Sequence, residues 1–146
     1  MFVRKTLLAA LCATALLPLS AAYAVDSQQF PTEQGSITAT PVAKGLDHPW
    51  ALAFLPDQQG FLVTELPGHL RFVSPDGKLS APLKGVPQVW AKGQGGLLDV
   101  VLSPDFKQDR LVYLSYAEGG GEGGKAGTAV GRGRLAADLS GLEDFK

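Results

Sequence analysis

Cysteine is almost missing from this 146-residue chain. Cys12 stands alone, so no intrachain disulfide can form, and no Cys-x-x-Cys or Cys/His cluster offers a tetrahedral metal site. Neither sign of charge is in excess. With 13 Lys and Arg against 14 Asp and Glu, and no basic cluster, the electrostatic basis for binding nucleic acid or an anionic membrane surface is lacking. No apolar run approaches the ~20 residues a membrane-spanning helix needs; the longest extends from Leu7 to Leu19. The core must therefore come from packing alone, in a chain long enough for one modest domain.

What is present begins with a leader. Arg4 and Lys5 precede the Leu7 to Leu19 run, and small residues then lead to Ala22-Tyr23-Ala24, an A-x-A cleavage pattern. This predicts a signal peptide over residues 1–24, cut between Ala24 and Val25, and a periplasmic or secreted product with no membrane span after cleavage. Leu11 occupies the place where lipid attachment at Cys12 would need a small residue. Cleavage removes Arg4, Lys5 and Cys12 together.

Residues 25–43 are polar, with Gln28, Gln29, Thr32 and Gln34, and are expected to form a loose N-terminal lead-in. From 44 to 146 the pattern is that of short strands. Trp50 to Leu55, Gly60 to Glu65 and His69 to Val73 are predicted as three strands of a meander. The separators Pro56-Asp57-Gln58-Gln59-Gly60, Leu66-Pro67-Gly68 and Ser74-Pro75-Asp76-Gly77 carry the Gly, Pro and Asp that tight reversals require. A second copy follows. Leu97 to Asp105 and then Leu111 to Tyr116 echo Leu52 to Asp57 and then Phe61 to Thr64, and Pro104-Asp105 lies 48 residues after Pro56-Asp57. Short strands recurring at that distance match the ~40 to 50 residues of a β-propeller blade. Two unrelated hairpins sharing a Pro-Asp turn would give the same pattern, but the joint recurrence of apolar run, Pro-Asp and second strand favours the repeat. The fold class expected is all-β, a partial propeller of about two blades, ending at Lys146 without a closing strand. Such an open stack leaves apolar edges exposed and is expected to fold poorly alone or to associate.

Two glycine motifs imitate nucleotide sites. Gly119 to Lys125 nearly spells a phosphate loop, but Ala126 replaces the magnesium-ligating hydroxyl and Thr128-Ala129-Val130-Gly131 opens a helix poorly. The eight glycines between Gly119 and Gly133 are more simply read as a flexible hairpin connection. Gly131-Arg132-Gly133-Arg134-Leu135-Ala136 imitates a dinucleotide fingerprint without a parallel βαβ unit around it, and is read as a strand with small residues on one side. His48 and His69 lie at a strand entrance and a turn, without a neighbouring nucleophile or metal-like spacing. Asp57, Asp76 and Asp105 each follow proline, where turn chemistry accounts for them. No catalytic set can be assembled. Gln94 is the informative residue: a neutral amide among Gly93, Gly95 and Gly96, just before an apolar strand, where two donors and an acceptor without charge suit a sugar hydroxyl. An ordinary loop glutamine is the plain alternative.

Gly45 to Asp57, Gly85 to Trp90 and Gly93 to Val100 occur in an order that resembles the soluble PQQ-dependent aldose sugar dehydrogenases, of the quinoprotein glucose/sorbosone dehydrogenase family. The similarity continues through Leu111 to Tyr116, Lys125 to Val130 and Asp144 to Lys146. It implies a six-bladed, exported propeller that oxidises an aldose at its anomeric hydroxyl, with PQQ and calcium as cofactors and an electron acceptor of unspecified identity as partner. It also implies that Gln94 binds substrate at the mouth of the cofactor pocket. The family's histidine base belongs to a segment after Asp144-Phe145-Lys146, and its arginines and calcium ligands come later still. The resemblance therefore implies that this chain is an N-terminal part of such an enzyme, with no catalytic residue or metal ligand of its own, and inactive alone. The rival expectation is a non-catalytic exported propeller module that binds a glycan or a protein.

Overall fold

The structure, a computed structural model, describes residues 27–120 and 124–146. The predicted signal peptide lies outside the described residues. Nine strands occur among those described: β1 (Gln28–Thr32), β2 (Gly35–Ala39), β3 (Pro49–Phe54), β4 (Phe61–Glu65), β5 (His69–Val73), β6 (Leu97–Leu102), β7 (Leu111–Gly119), β8 (Ala126–Leu135) and β9 (Leu142–Glu143). A single-turn helix, α1 (Phe106–Asp109), precedes β7. They form three antiparallel sheets, β1-β2, β3-β4-β5 and β6-β7-β8-β9.

The lead-in is more regular than its composition suggests. β1 and β2 pair along their whole length as a hairpin, and every one of their residues is exposed. A hairpin that buries neither face has no alternation to read. Its order comes from its own backbone ladder and from Thr32, whose hydroxyl donates to Gly35 O at 2.7 Å across the turn.

The 48-residue recurrence is real down to single hydrogen bonds. The β3–β4 register slips between Pro49 and Leu52, and the β6–β7 register slips between Leu97 and Val100, the positions that correspond. In each bulge a hydroxyl on the second strand accepts the spare N–H: Thr64 Oγ1 from Ala51 N at 3.1 Å, Ser115 Oγ from Asp99 N at 3.0 Å. Leu66 N donates to His48 O in the first sheet as Ala117 N donates to Gly96 O in the second. After the bulged strand comes Pro-Asp. In the first unit Pro56–Gln58 makes a 3-10 turn with Asp57 at φ 57°, and in the second Asp105 stands before α1. Lys107 Nζ reaches Asp57 Oδ1 at 2.7 Å and ties the two turns together.

The core lies between the two larger sheets. Paired residues share a face, so β3-β4-β5 turns Ala53, Leu62 and Phe72 inward, while β6-β7-β8 turns Val100, Leu114 and Gly131, then Leu102, Val112 and Gly133, to meet them. Leu62, Leu70, Leu97, Val112, Leu114 and Leu135 are completely buried there. Gly131 and Gly133 serve as floor for the Phe145 ring, which explains the small residues on one side of β8. β9 adds a fourth strand at the edge of the second sheet, which was not expected from the sequence. It pairs Leu142 with Leu135 and Glu143 with Arg134, two pairs being too short for any periodicity to announce. Lys84 locks the outer edges together, its carbonyl accepting from Leu142 N and its N–H donating to Ser140 O.

One charge is fully buried. Glu65, at the end of β4, accepts from Asp47 N at 2.8 Å and faces His69 Nδ1 at 3.1 Å and Arg71 Nη1 at 3.3 Å. Arg71 spends its remaining donors on Ser80 O, holding the irregular edge that follows β5. A buried carboxylate tolerates this position only while its cation is in place. Arg71→Met is therefore expected to lower unfolding stability by about 3 kcal/mol in urea denaturation, and the double variant Glu65→Gln, Arg71→Met is expected to recover part of that loss.

Candidate substrate-binding site

The Gln94 loop is built by glycine geometry and anchored at both ends. Gly95 N donates to Lys92 O at 3.0 Å, closing a four-residue turn whose first central residue, Gly93, has φ 60°, a conformation that costs glycine little. Gln94 is the second central residue and is exposed at the tip. Before the turn, Trp90 N donates to Ala117 O at 2.7 Å; after it, Leu97 N donates to Leu66 O at 3.1 Å in the neighbouring sheet. The loop is thus pinned to both sheets, and the Gln94 amide makes no hydrogen bond within the described residues.

Gln94 borders a cleft of about 240 Å³ with Trp90, Lys92, Leu98 and the segment Ala126 to Thr128. The wall opposite the loop is the start of β8. The Trp90 indole lies close enough against β7 that a Cβ on Gly119 would fall 2.5 Å from the ring, and Lys92 Nζ sits 4.5 Å from the ring centroid. The polar side-chain groups are an amide, a hydroxyl and an ammonium, with no carboxylate among the described lining residues. That set donates readily and presents no negative charge, which suits a ligand rich in hydroxyl or carbonyl oxygen. The turn that exposes Gln94 was legible from its glycines. Lys92 and Thr128 were not singled out, because Thr128 joins the cleft only through its register opposite Ala117.

Among the described residues, none of the other candidates is a lining residue of the cleft. Ala126 opens a strand instead of a phosphate-binding helix, and the flexible connection expected as far as Gly133 is overturned: β8 pairs with β7 without a break through Gly127, Gly131 and Gly133, because the backbone ladder needs no side chains. His48 Nδ1 meets Asp47 Oδ1 at 2.6 Å on the surface, and His69 belongs to the Glu65 cluster. Carboxyl groups displaced from their usual range occur at turns. Asp76 is drawn down to about 2 by the Ser74 hydroxyl and then by Lys78. Asp109 is lowered by the Leu111 N–H and the Ser103 hydroxyl, and Asp138 by Ser140. These are anchoring interactions, none of which lines the cleft. Among the described residues no group of three or more His, Cys, Asp or Glu is placed to hold a metal ion.

Comparison with known proteins gives this geometry its setting. Over 101 residues the chain is 64% identical to aldose sugar dehydrogenase YliI of Escherichia coli K12, covering 69% of this chain and 27% of that protein. It is 33% identical over 76 residues to quinoprotein glucose dehydrogenase B of Acinetobacter calcoaceticus, covering 51% of this chain and 16% of that one. The crystal structure of the soluble aldose sugar dehydrogenase from E. coli in its apo form superposes with a TM-score of 0.67 at 64% identity, over 69% of this chain and 29% of that one. The chain thus spans between a quarter and a third of the length of the E. coli enzyme, and its two packed sheets are part of a β-propeller. The family model for glucose/sorbosone dehydrogenases matches residues 46–146, from the strand entrance before β3 through β9, and the chain belongs to that family.

Proposed function

We propose that this chain supplies two sheets of an exported, PQQ-dependent dehydrogenase of aldose sugars, and that Gln94 orients the sugar. The observation that carries the reading is the uncommitted amide of Gln94, held at a turn tip over a cleft and anchored to two sheets. Its relatives include an aldose sugar dehydrogenase and a quinoprotein glucose dehydrogenase, which supports sugar as the substrate and PQQ as the oxidant.

PQQ, when bound, provides an ortho-quinone that accepts hydride from the anomeric carbon, with calcium polarising its carbonyl. Among the described lining residues the one charged group is the Lys92 ammonium, which would attract an anionic cofactor. Residues that hold PQQ and calcium, and the base that takes the hydroxyl proton, are assigned to other parts of the complete enzyme. What this chain's residues do is positional. The Gln94 amide can donate to one sugar oxygen and accept from a second hydroxyl, while Trp90 presents an apolar surface beside it. A neutral residue suits this role, because it fixes the sugar without shifting the proton affinity of the reacting hydroxyl.

In the complete enzyme, Gln94→Ala is expected to lower kcat/KM for aldoses about tenfold, as loss of one or two hydrogen bonds would, with PQQ binding unchanged; unaltered kinetics would remove Gln94 from the site. The 146-residue chain alone, given PQQ and calcium, is expected to show no sugar-dependent dye reduction, and turnover would overturn that assignment. Mass spectrometry of the exported protein is expected to show Val25 as its first residue; retention of Met1 would refute export by cleavage.

A further inference from the structure

The Gln94 loop has a counterpart in the first unit of the repeat, and the differences between the two fall at the cleft. Ala91-Lys92-Gly93 stands 48 residues after Ala43-Lys44-Gly45, and both glycines have positive φ, 60° at Gly93 and 85° at Gly45. The lysine and its glycine are thus common to both loops. Three neighbours are not. Trp90 stands where the first unit has Val42, Gln94 where it has Leu46, and Tyr116 pairs with Leu97 where Glu65 pairs with Pro49. In the first unit the loop spends Asp47 N on the Glu65 carboxylate at 2.8 Å. With tyrosine in that place the second loop meets no carboxylate there, and Gly95 N closes the turn on Lys92 O instead.

These differences leave one ammonium fixed at the cleft. Lys92 Nζ lies 4.5 Å from the Trp90 ring centroid, and Trp90 is itself held by its N–H on Ala117 O and by its ring against Gly119. Among the described residues Lys92 pairs with no Asp or Glu, and none of those lining the cleft it shares with Gln94 is a carboxylate. An exposed ion pair is ordinarily weak because a long side chain must be ordered to make it; a lysine already laid on an aromatic ring has lost part of that freedom beforehand. Sugar hydroxyls are served by the Gln94 amide and the Thr128 hydroxyl. A full positive charge two residues before that amide discriminates between ligands only where one of them carries the opposite charge.

We propose that Lys92 is a specificity-determining residue, and that the aldose taken by this cleft bears a carboxylate, as an aldohexuronate does, with Lys92 pairing the carboxylate while Gln94 holds hydroxyls of the same ring. The proposal rests on the sugar-oxidising reading of the cleft. The carboxylate does not react; it anchors the end of the sugar remote from the anomeric carbon. Lys44, with Val42 and Leu46 in place of the ring and the amide, takes no such part.

Steady-state kinetics of the complete enzyme on glucuronate and glucose, which differ only at C6, test this. Wild type is expected to show a kcat/KM, per PQQ-loaded enzyme, about five- to tenfold higher for glucuronate, an advantage that shrinks as salt is added. Lys92→Met is expected to bring the ratio of the two close to one, Lys92→Arg to keep the preference, and Lys92→Glu to reverse it in favour of glucose. Lys44→Met, which changes the equivalent lysine of the first unit, is expected to leave the ratio as in wild type. Oxidation of glucose without preference for glucuronate, or a preference that survives Lys92→Met, would overturn the proposal and leave the sugar reading standing. So would loss of bound PQQ in Lys92→Met with the ratio unchanged, which assigns the ammonium to the cofactor. Oxidation of neither sugar by the PQQ-loaded wild type would overturn the sugar reading and this proposal with it.

Discussion

The contact between the two large sheets is the interaction on which the remaining structure depends. Each sheet has one strongly apolar face, and neither could stand alone in water. Small residues on the first, Ala51 and Ala53, let the second approach closely enough for Leu62, Leu97 and Leu114 to be sealed off. The Thr64 hydroxyl then joins the bulge of its own strand to the backbone of the next sheet. Apolar contact sets the strength of this packing, and that hydroxyl, together with Leu97 N donating to Leu66 O and the Lys107–Asp57 pair, fixes its register.

The candidate site is a consequence of that packing. The loop that carries Gln94 enters β6 at the place where the sheets meet, and its two anchors accept from it on different sheets, Ala117 on one and Leu66 on the other. Separating the sheets would leave the turn intact but unaimed. Rigid support with a free side chain at the tip is what a positioning residue requires, because a group that bonds its own scaffold has little left to offer a ligand. The chemistry assembled here is correspondingly mild: donors and an aromatic surface, with negative charge confined elsewhere.

Several charged groups away from the cleft serve structure. Glu65 is buried and matched by Arg71 and by the Asp47 N–H, closing the end of the first sheet where the chain arrives from the lead-in. At the surface, Asp76, Asp109 and Asp138 are held in the ionised form by hydroxyl and amide donors within their own turns. Of the three only Asp76 follows a proline, and its partners, Ser74 and Lys78, lie within two residues of it, which is why that corner could be read as turn chemistry before any fold was known.

What could be read along the chain was whatever repeats or is local. Strand positions, the Pro-Asp corners, the 48-residue recurrence and the glycine setting of Gln94 all have signals within a dozen residues or in the comparison of two such stretches. The β1-β2 hairpin and β9 escaped because one buries no face and the other makes two pairs. The far wall of the Gln94 cleft escaped as well: Thr128 lines it only because β8 folds back along β7 in a register that no local pattern encodes. The sequence by itself determined the class of fold, the repeat and the amide at its turn. Only tertiary structure decided which faces are buried, which are left open and what surrounds that amide, because these follow from packing between residues far apart in the chain, where burial and register are settled together.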